Sequence, residues 1–340
     1  MTTFLSIIIF IIVLIVYMHV MDEYKTSEDL EIYEMDYKNN LQLQEICNLK
    51  QPVLFNMNEI EPTFFKESDI LGESKTPVIV KDKADIDNAN FIKLPYESAK
   101  TLMKTDTGSR FYSEKNINLA NETSYDFTKL DKHLKPELII QSKRDVLFGS
   151  KGVHTVMRYH TEHRKFLVVR KGRINVKMTP WKSNKLLHVT KDYVNYDFRS
   201  KIDVWEPQSK YVPDFEKLKF LEFDVEEGYI LNIPPFWFYS IKYSNDDLCE
   251  LYELTYNTPM NITSNLHLWC LYYIQHQNLK RIFLQPFQRA NDRPKIKLSK
   301  EKQEEERYDN TPRDKVFEER KKDNEKQKME KNKDVNIPVP

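Results

Sequence analysis

The chain has 340 residues, in which 52 lysines and arginines balance 52 aspartates and glutamates, and 40% of the residues are hydrophobic. This length permits one large domain with appendages or two modest domains, and the hydrophobic share is enough for a core. Balanced charge excludes an overall field of the kind that recruits nucleic acid. The cysteines (Cys47, Cys249 and Cys270) are too few and too scattered for a disulfide framework, which favours a reducing compartment.

The amino terminus carries an apolar run at residues 4–21, broken only by Ser6 and His19. At about 1.5 Å per residue the run spans roughly 27 Å, close to the thickness of a hydrocarbon core. We therefore predict a transmembrane anchor at residues 1–21 and a single-pass membrane protein. A cleaved signal peptide is the alternative, but no Lys or Arg precedes the run and no small-residue cleavage site follows it.

Composition divides the rest of the chain into three parts. Residues 22–50 are polar and acidic and predict a stalk, whereas residues 51–290 alternate short β-type runs with turn residues and predict the folded domain. Residues 291–340 form a Lys/Glu tract with few apolar residues. Such a tract cannot bury enough surface to offset its ordering entropy, so we expect a charged tail that is disordered or a solvated helix.

Within residues 51–290 the pattern predicts a β-rich domain with flanking helices. Helices are predicted at 95–104, which opens with a proline, and at 262–284, where apolar residues recur on one face. The predicted strands are 77–80, 165–169, 173–179, 229–234, 238–243 and 248–256. The predicted fold class is therefore mainly β, with helices added (α+β).

Four segments of this domain carry a resemblance to a known family. They are the aromatic segment at 111–114, residues 149–155, the strand, glycine turn and strand at 166–180, and the Ile-Pro-Pro-Phe-Trp stretch within 227–237. In this order they resemble the cupin-like family related to JmjC hydroxylases, over roughly residues 64–269. The resemblance implies a double-stranded β-helix, the cupin jelly-roll barrel, with flanking helices.

The same resemblance implies a metal site whose ligands are missing. In active members two His and one carboxylate hold Fe(II), and a basic residue anchors 2-oxoglutarate. In the ungapped register the first His position falls on Tyr159, the carboxylate on Thr161 and the last His on Tyr239. The cosubstrate anchor falls on Ile174. The resemblance thus implies a chain without catalytic, cofactor-binding or metal-ligating residues, in which Tyr159, Thr161 and Tyr239 are degenerate ligand positions.

An alternative pair of ligands lies one residue away, at His160 and Glu162. A one-residue shift in a strand sends both side chains to the opposite face, so a bulge would be needed to return them to the metal side. No His lies near Tyr239 to complete a triad. A solvated strand edge is the competing interpretation of His160, Glu162 and the neighbouring His163.

We therefore expect a membrane-anchored cupin-like protein that acts as a non-catalytic binding or structural module. The alternative is an Fe(II)/2-oxoglutarate-dependent oxygenase with a rebuilt metal site, and a third possibility is a pocket that binds a ligand without metal. Expected partners are a membrane through residues 4–21 and a protein or second copy of the chain through 262–284; nothing indicates nucleic acid. Asn121 and Asn261 fit glycosylation sequons. A single-pass protein with a degenerate cupin-like domain and an Asn/Lys/Ile-rich coding style resembles products of large DNA viruses, which implies a host-cell or virion membrane for this chain.

Overall fold

Two large β-sheets form the centre of the molecule in a computed structural model that describes residues 2–66, 71, 74–84, 91–244 and 249–283. The side chains of residue 2 and residues 278–283 lie outside this description, as does the tail predicted at 291–340. The described chain is a mixed α and β structure with an N-terminal apolar helix.

Most helices of the described residues lie between strands in the chain, whereas α1 precedes the strands and α8 and α9 follow them. They are α1 Thr2–Glu23, α2 Asn40–Cys47, α3 Pro62–Lys66, α4 Tyr96–Thr105, α5 Ile117–Asn121, α6 Phe127–Leu134, α7 Val212–Phe215, α8 Pro259–Ser264 and α9 Leu266–Phe283. Several begin at a residue whose side chain accepts a hydrogen bond from a free backbone N–H of the first turn, as Asn39, Asp126 and Thr258 do.

The strands follow one another in short segments. They are β1 Tyr33–Met35, β2 Val53–Asn56, β3 Pro77–Asp82, β4 Phe91–Pro95, β5 Phe111–Ser113, β6 Gln141–Gly149, β7 Arg158–Tyr159, β8 Arg164–Lys171, β9 Ile174–Thr179, β10 Thr190–Asp192, β11 Asp197–Arg199, β12 Leu221–Val225, β13 Tyr229–Ile233, β14 Phe238–Tyr243 and β15 Glu250–Asn257. One sheet has the order β1-β2-β13-β8-β15-β6-β5-β3-β4, and the other has the order β10-β11-β7-β14-β9-β12.

Alternating side chains of β8 show where the core lies. Leu167 and Val169 pack between the two sheets, together with Ile241 of β14 and other residues of the second sheet. Phe166 and Val168 point to the other face of the first sheet and pack against α2 to α6. Because successive side chains of a strand point to opposite faces, a strand buried on both faces is apolar throughout. This explains the apolar run that predicts β8, whereas β9 is predicted by its alternation of buried apolar and half-buried polar residues.

Glycine is required at the turn between β8 and β9. Gly172 has a φ of +85°, which L-residues with a side chain rarely adopt, and a Cβ atom there would lie 2.8 Å from Sγ of Cys249. The predicted hinge at this glycine is confirmed, as are the predicted strands on either side of it.

Helix α1 is apolar along its length and lies outside the core. It is long enough and apolar enough to cross a membrane, with a mean hydropathy of 2.8 over residues 3–23, and none of that window is buried. Its last turn is different, because Glu23 is buried. Nδ1 of His163 lies 3.1 Å from Oε1 of Glu23, and Nδ2 of Asn261 donates to Oε2 of the same carboxylate over 3.2 Å.

Residues 22–50, predicted as a polar stalk, contribute to the folded domain. Strand β1 pairs in parallel with β2, and Leu43 and Cys47 of α2 are buried in the core. The structure differs from the prediction because two apolar side chains four residues apart suffice to dock a short helix, even in a polar segment. The predicted helix at 262–284 is in fact two helices, α8 and α9, joined at Asn265.

The two predicted sequons occupy different environments. Asn121 is exposed at the end of α5. Asn261 is 3% exposed, and its amide donates to the backbone oxygen of Thr161 as well as to Glu23. A glycan on Asn261 would break both hydrogen bonds.

The burial of the cysteines predicts which thiol reacts. Cys47 and Cys249 are buried and Cys270 is exposed, and burial raises the pKa of the Cys47 thiol to about 11. Because the thiolate is the reactive form, a maleimide at neutral pH should add once to the folded chain, at Cys270, and three times after unfolding. Intact-mass measurement counts the adducts, and a second adduct on the folded chain would contradict this packing.

Candidate functional site

A polar cavity lies between the two sheets, where β7 and β14 face β8 and β15. Its volume is about 260 Å³. Its lining includes the charged or titratable side chains Glu114, Lys115, Lys143, Arg144, Asp145, Arg158, His160, Glu162, Lys165, Asp197, Tyr239 and Glu253. Cations and carboxylates are present in similar number. The cavity therefore contains charges of both signs, in a region that most proteins fill with apolar side chains.

The deepest ion pair joins Lys165 of β8 to Glu253 of β15. Nζ of Lys165 lies 2.7 Å from Oε1 of Glu253, and the two side chains are 8% and 17% exposed. Burial alone would lower the pKa of Lys165, but the nearby Glu253 carboxylate reverses this and holds the pKa well above its usual range. Lys165 is therefore a permanent cation inside the cavity.

A second group of charges centres on Glu114, just after β5. Its carboxylate accepts from Nζ of Lys81 over 2.6 Å and from Nη2 of Arg158 over 2.5 Å. Burial would raise the pKa of Glu114, but Arg158 and then Lys81 hold it well below its usual range. Nε of Arg158 is buried and has no hydrogen-bond partner among the described residues. The carboxylate is thus shared by two cations that come from β3 and β7.

His160 and Glu162 also lie in this cavity. Nε2 of His160 donates to the backbone oxygen of Ile233 over 2.9 Å, since a carbonyl can only accept. Nδ1 lies 3.2 Å from Oε2 of Glu162, but neither atom has a partner with hydrogen-bond geometry among the described residues. Burial lowers the pKa of His160. For Glu162 the effect of burial is outweighed by Lys165 and by His160, which lower its pKa.

The carboxyl group of Asp145, in β6, has a raised pKa, whereas the pKa values of Glu114 and Glu162 are lowered. It accepts from the backbone N–H groups of Lys115 and Asn116, over 2.6 and 2.5 Å. Burial, and then the charge of Glu253, raise the pKa of Asp145 to about 7. The cavity therefore contains one carboxyl group that changes charge near neutral pH.

The three predicted ligand positions, Tyr159, Thr161 and Tyr239, all line the cavity, but their side chains have different surroundings. The ring of Tyr239 packs in the cluster between the sheets, and burial raises its pKa to about 12, so the phenol is neutral. Tyr159 packs in a different cluster, where its ring stacks on Phe198 at 4.9 Å. The hydroxyl of Thr161 lies 3.0 Å from the hydroxyl of Tyr196, which also lines the cavity.

The residue that shares the face of Tyr239 is Arg158. These two are direct partners in the pairing of β7 with β14, so their side chains point to the same side of the sheet. Tyr159 follows Arg158 and points away. Ile174, the position assigned to the cosubstrate anchor, is fully buried in the apolar cluster between the sheets.

Sequence reasoning missed the charges that fill the cavity: Arg158, Lys165, Glu253 and Glu114. A signal was present for two of them, because Lys165 adjoins the apolar run of β8 and Glu253 lies inside β15. A charge on the buried face of such a strand requires a partner. What the sequence did not supply was the identity of that partner.

Aromatic side chains of α9 cover the open side of the cavity. Trp269 stacks on Tyr196 with ring centres 4.7 Å apart, and Nζ of Lys143 lies 5.5 Å from the centre of the Trp269 ring. Tyr272 packs edge-on against Tyr196 at 5.9 Å. Access to the charged interior therefore passes this aromatic group.

Comparison of the chain with protein-family models gives no match, and comparison with curated proteins gives none either. In the described part of the chain, no group of three or more His, Cys, Asp or Glu side chains is arranged to share a metal ion. The site is therefore interpreted from its own chemistry.

The ion pairs of Glu114 predict a specific dependence of stability on pH. A carboxyl group whose pKa is lowered by folding stabilises the fold above its unfolded pKa of about 4.5, and this contribution is lost as the pH falls through the folded value. Glu114→Gln should therefore be less stable than the natural chain at neutral pH, and the difference should shrink below about pH 4.5.

Denaturant unfolding in detergent at several pH values measures this difference. Glu97→Gln is a matched control, because the Glu97 side chain is 51% exposed and its nearest cation, Lys100, lies 3.8 Å away. Its effect should be small at every pH. A difference for Glu114→Gln that stays constant, or that grows in acid, would contradict the assignment of Glu114 as the centre of the network.

Proposed function

We propose that this chain is a membrane-anchored module of the double-stranded β-helix fold that binds or holds a partner without iron chemistry. Strand order supports the fold. Strands β6, β7, β8 and β9 alternate between the two sheets, and β12, β13, β14 and β15 alternate in the reverse sense, joined by the β9–β12 pair within one sheet. Two sheets that face each other and exchange successive strands in this way are typical of a jelly roll.

The observation that carries the non-catalytic proposal is the pair of buried cations beside Tyr239. Lys165 approaches the Tyr239 ring at 5.9 Å, and Arg158 is the cross-strand partner of Tyr239. A divalent cation placed there would be repelled by both, in a medium where charges interact strongly. A neutral phenol is in addition a poor ligand for Fe(II).

The cosubstrate position supports the same proposal. The carboxylates of 2-oxoglutarate need a cation, and Ile174 presents an apolar side chain that packs in the core. The cations that do line the cavity already have carboxylate partners, as Lys165 has Glu253 and Arg158 has Glu114. The residues therefore do not fit iron with 2-oxoglutarate.

The oxygenase alternative rests on His160 and Glu162, whose facing atoms lie 3.2 Å apart in the cavity. Two donors are fewer than the three of a facial triad. Lys165, and then His160, lower the pKa of Glu162, so this carboxylate is ionised and already lies near a fixed positive charge. The balance of charges therefore favours the binding module.

The membrane anchor is supported by the surface and the end of α1. Its apolar side chains are exposed, unlike those of a core helix. Its last residue, Glu23, contacts His163 and Asn261, and the hydroxyl of Tyr24 donates to the backbone oxygen of Ser264. Cleavage of a signal peptide at the end of α1 would remove contacts that the folded domain uses, so an uncleaved helix is the better interpretation.

Anaerobic titration of the full chain in lipid nanodiscs with Fe(II) and 2-oxoglutarate, followed by admission of O2 as the oxidant, tests the non-catalytic proposal. We expect neither stoichiometric iron binding nor succinate formation. The double variant Lys165→Met/Glu253→Leu is the matched comparison, because it removes the fixed cation together with its counter-charge. This variant should bind iron more tightly than the natural chain if repulsion is the cause. Stoichiometric Fe(II) with succinate release from the natural chain would refute the proposal.

A further inference from the structure

The outward face of α9 is apolar in its first three turns. Leu266, Tyr273 and Ile274 are 55%, 61% and 56% exposed, and Cys270 is exposed between them. Their spacing of four, three and one residues puts all four side chains on one side of the helix. We refer to Leu266, Cys270, Tyr273 and Ile274 as the α9 stripe. The helix sequence contains no Asp or Glu.

The carboxyl end of α1 places this stripe near the membrane surface. Helix α1 packs against α8, and Val16, Val20 and Glu23, which share one face of α1, are half-buried or buried. The apolar run of α1 ends at Met21, so the contacts of Val20 and Glu23 lie where the helix leaves the hydrocarbon core. Helix α8 therefore lies beside the part of α1 that leaves the membrane.

Helix α9 begins directly after this contact. Helix α8 ends at Ser264, whose backbone oxygen accepts from Tyr24, and α9 starts at Leu266. A recess of about 280 Å³ lies beside the start of α9, and its walls include Tyr24, Trp181, Phe236 and Leu268. Aromatic side chains of this kind are enriched at the interface between lipid and water.

We propose that the α9 stripe lies in the interface of the same membrane that α1 crosses, and that it holds the domain flat against phospholipid. This inference rests on the proposed membrane anchor. It extends that anchor from a single helix to a surface with two attachments, α1 and α9. An apolar helix face with aromatic residues and no acidic residues is typical of helices that lie in the membrane interface.

The size of the stripe favours lipid over a second copy of the chain. Four half-exposed side chains present on the order of 300 Å². A stable protein interface buries about 800 Å² per partner. Binding to a lipid surface needs no such area, because α1 already holds the domain beside the membrane. The domain therefore loses little further translational and rotational freedom on contact.

Cys270 provides a direct probe of the environment of the stripe. The full chain, one copy per phosphatidylcholine nanodisc, is labelled at Cys270 with an environment-sensitive fluorophore. Fluorescence is then quenched either by nitroxide-bearing lipids or by aqueous iodide. We expect loss of fluorescence with the nitroxide lipids and retention of fluorescence with iodide.

Gln275→Cys in a Cys270→Ser background is the matched control. Gln275 is exposed on the same helix but lies about 140° from Cys270 around the axis. Its label should be quenched by iodide more than by nitroxide lipids. Equal quenching at the two positions, or stronger iodide quenching at Cys270, would overturn the inference.

Ile12→Cys, also in the Cys270→Ser background, separates the inference from the anchor on which it rests. Ile12 lies in the middle of α1 and is 55% exposed. Quenching of its label by nitroxide lipids together with iodide access to Cys270 would overturn the inference and leave the anchor standing. No lipid quenching at Ile12 would overturn both. Protection of Cys270 only in nanodiscs with two copies would identify a contact between copies and overturn the inference.

Discussion

Charge pairing inside the cavity is the constraint on which the arrangement of the two sheets depends. A buried ion costs several kcal/mol unless a partner and further hydrogen bonds offset its desolvation. Lys165 finds its partner on β15, and Glu114 finds its partners on β3 and β7. These pairs form only when the strands are in register, because a shift of one residue would turn the charges to the opposite face. The network therefore specifies the register that the apolar residues stabilise.

The same network gives the site its chemical character. Lys165 and Arg158 hold the space beside Tyr239 at positive charge, while their carboxylates keep the cavity near neutrality. Under the proposed function, the barrel serves as a rigid scaffold for the surfaces that bind a partner. The contacts of Glu23 with His163 and Asn261 join that frame to α1. The orientation of the domain at the membrane is then set by the fold as well as by the anchor.

The sequence predicted the apolar strands well and the site less well, for physical reasons. Strand β8 contains an apolar run and strand β9 alternates apolar with polar residues, and both patterns are local features of the sequence. The side of the sheet to which Arg158 points could not be predicted from the sequence. The alternation of side chains along β8 does not extend back to Arg158, because residues 160–163 form no strand. Lys165 and Glu253 are 88 residues apart, so their pairing follows from strand order alone. The docking of α2 against the core was not predicted, because Leu43 and Cys47 lie in a segment that is mainly polar.

A double-mutant cycle on Lys165 and Glu253 tests most directly whether a buried ion pair organises the interior. Lys165→Met or Glu253→Leu alone leaves one buried charge without its partner and should cost about 3–5 kcal/mol of unfolding free energy. The double variant should recover most of that loss, giving strong coupling. Lys217 and Asp214, a more exposed pair 3.2 Å apart, should show coupling below about 1 kcal/mol. Additive losses at Lys165 and Glu253 would contradict the account.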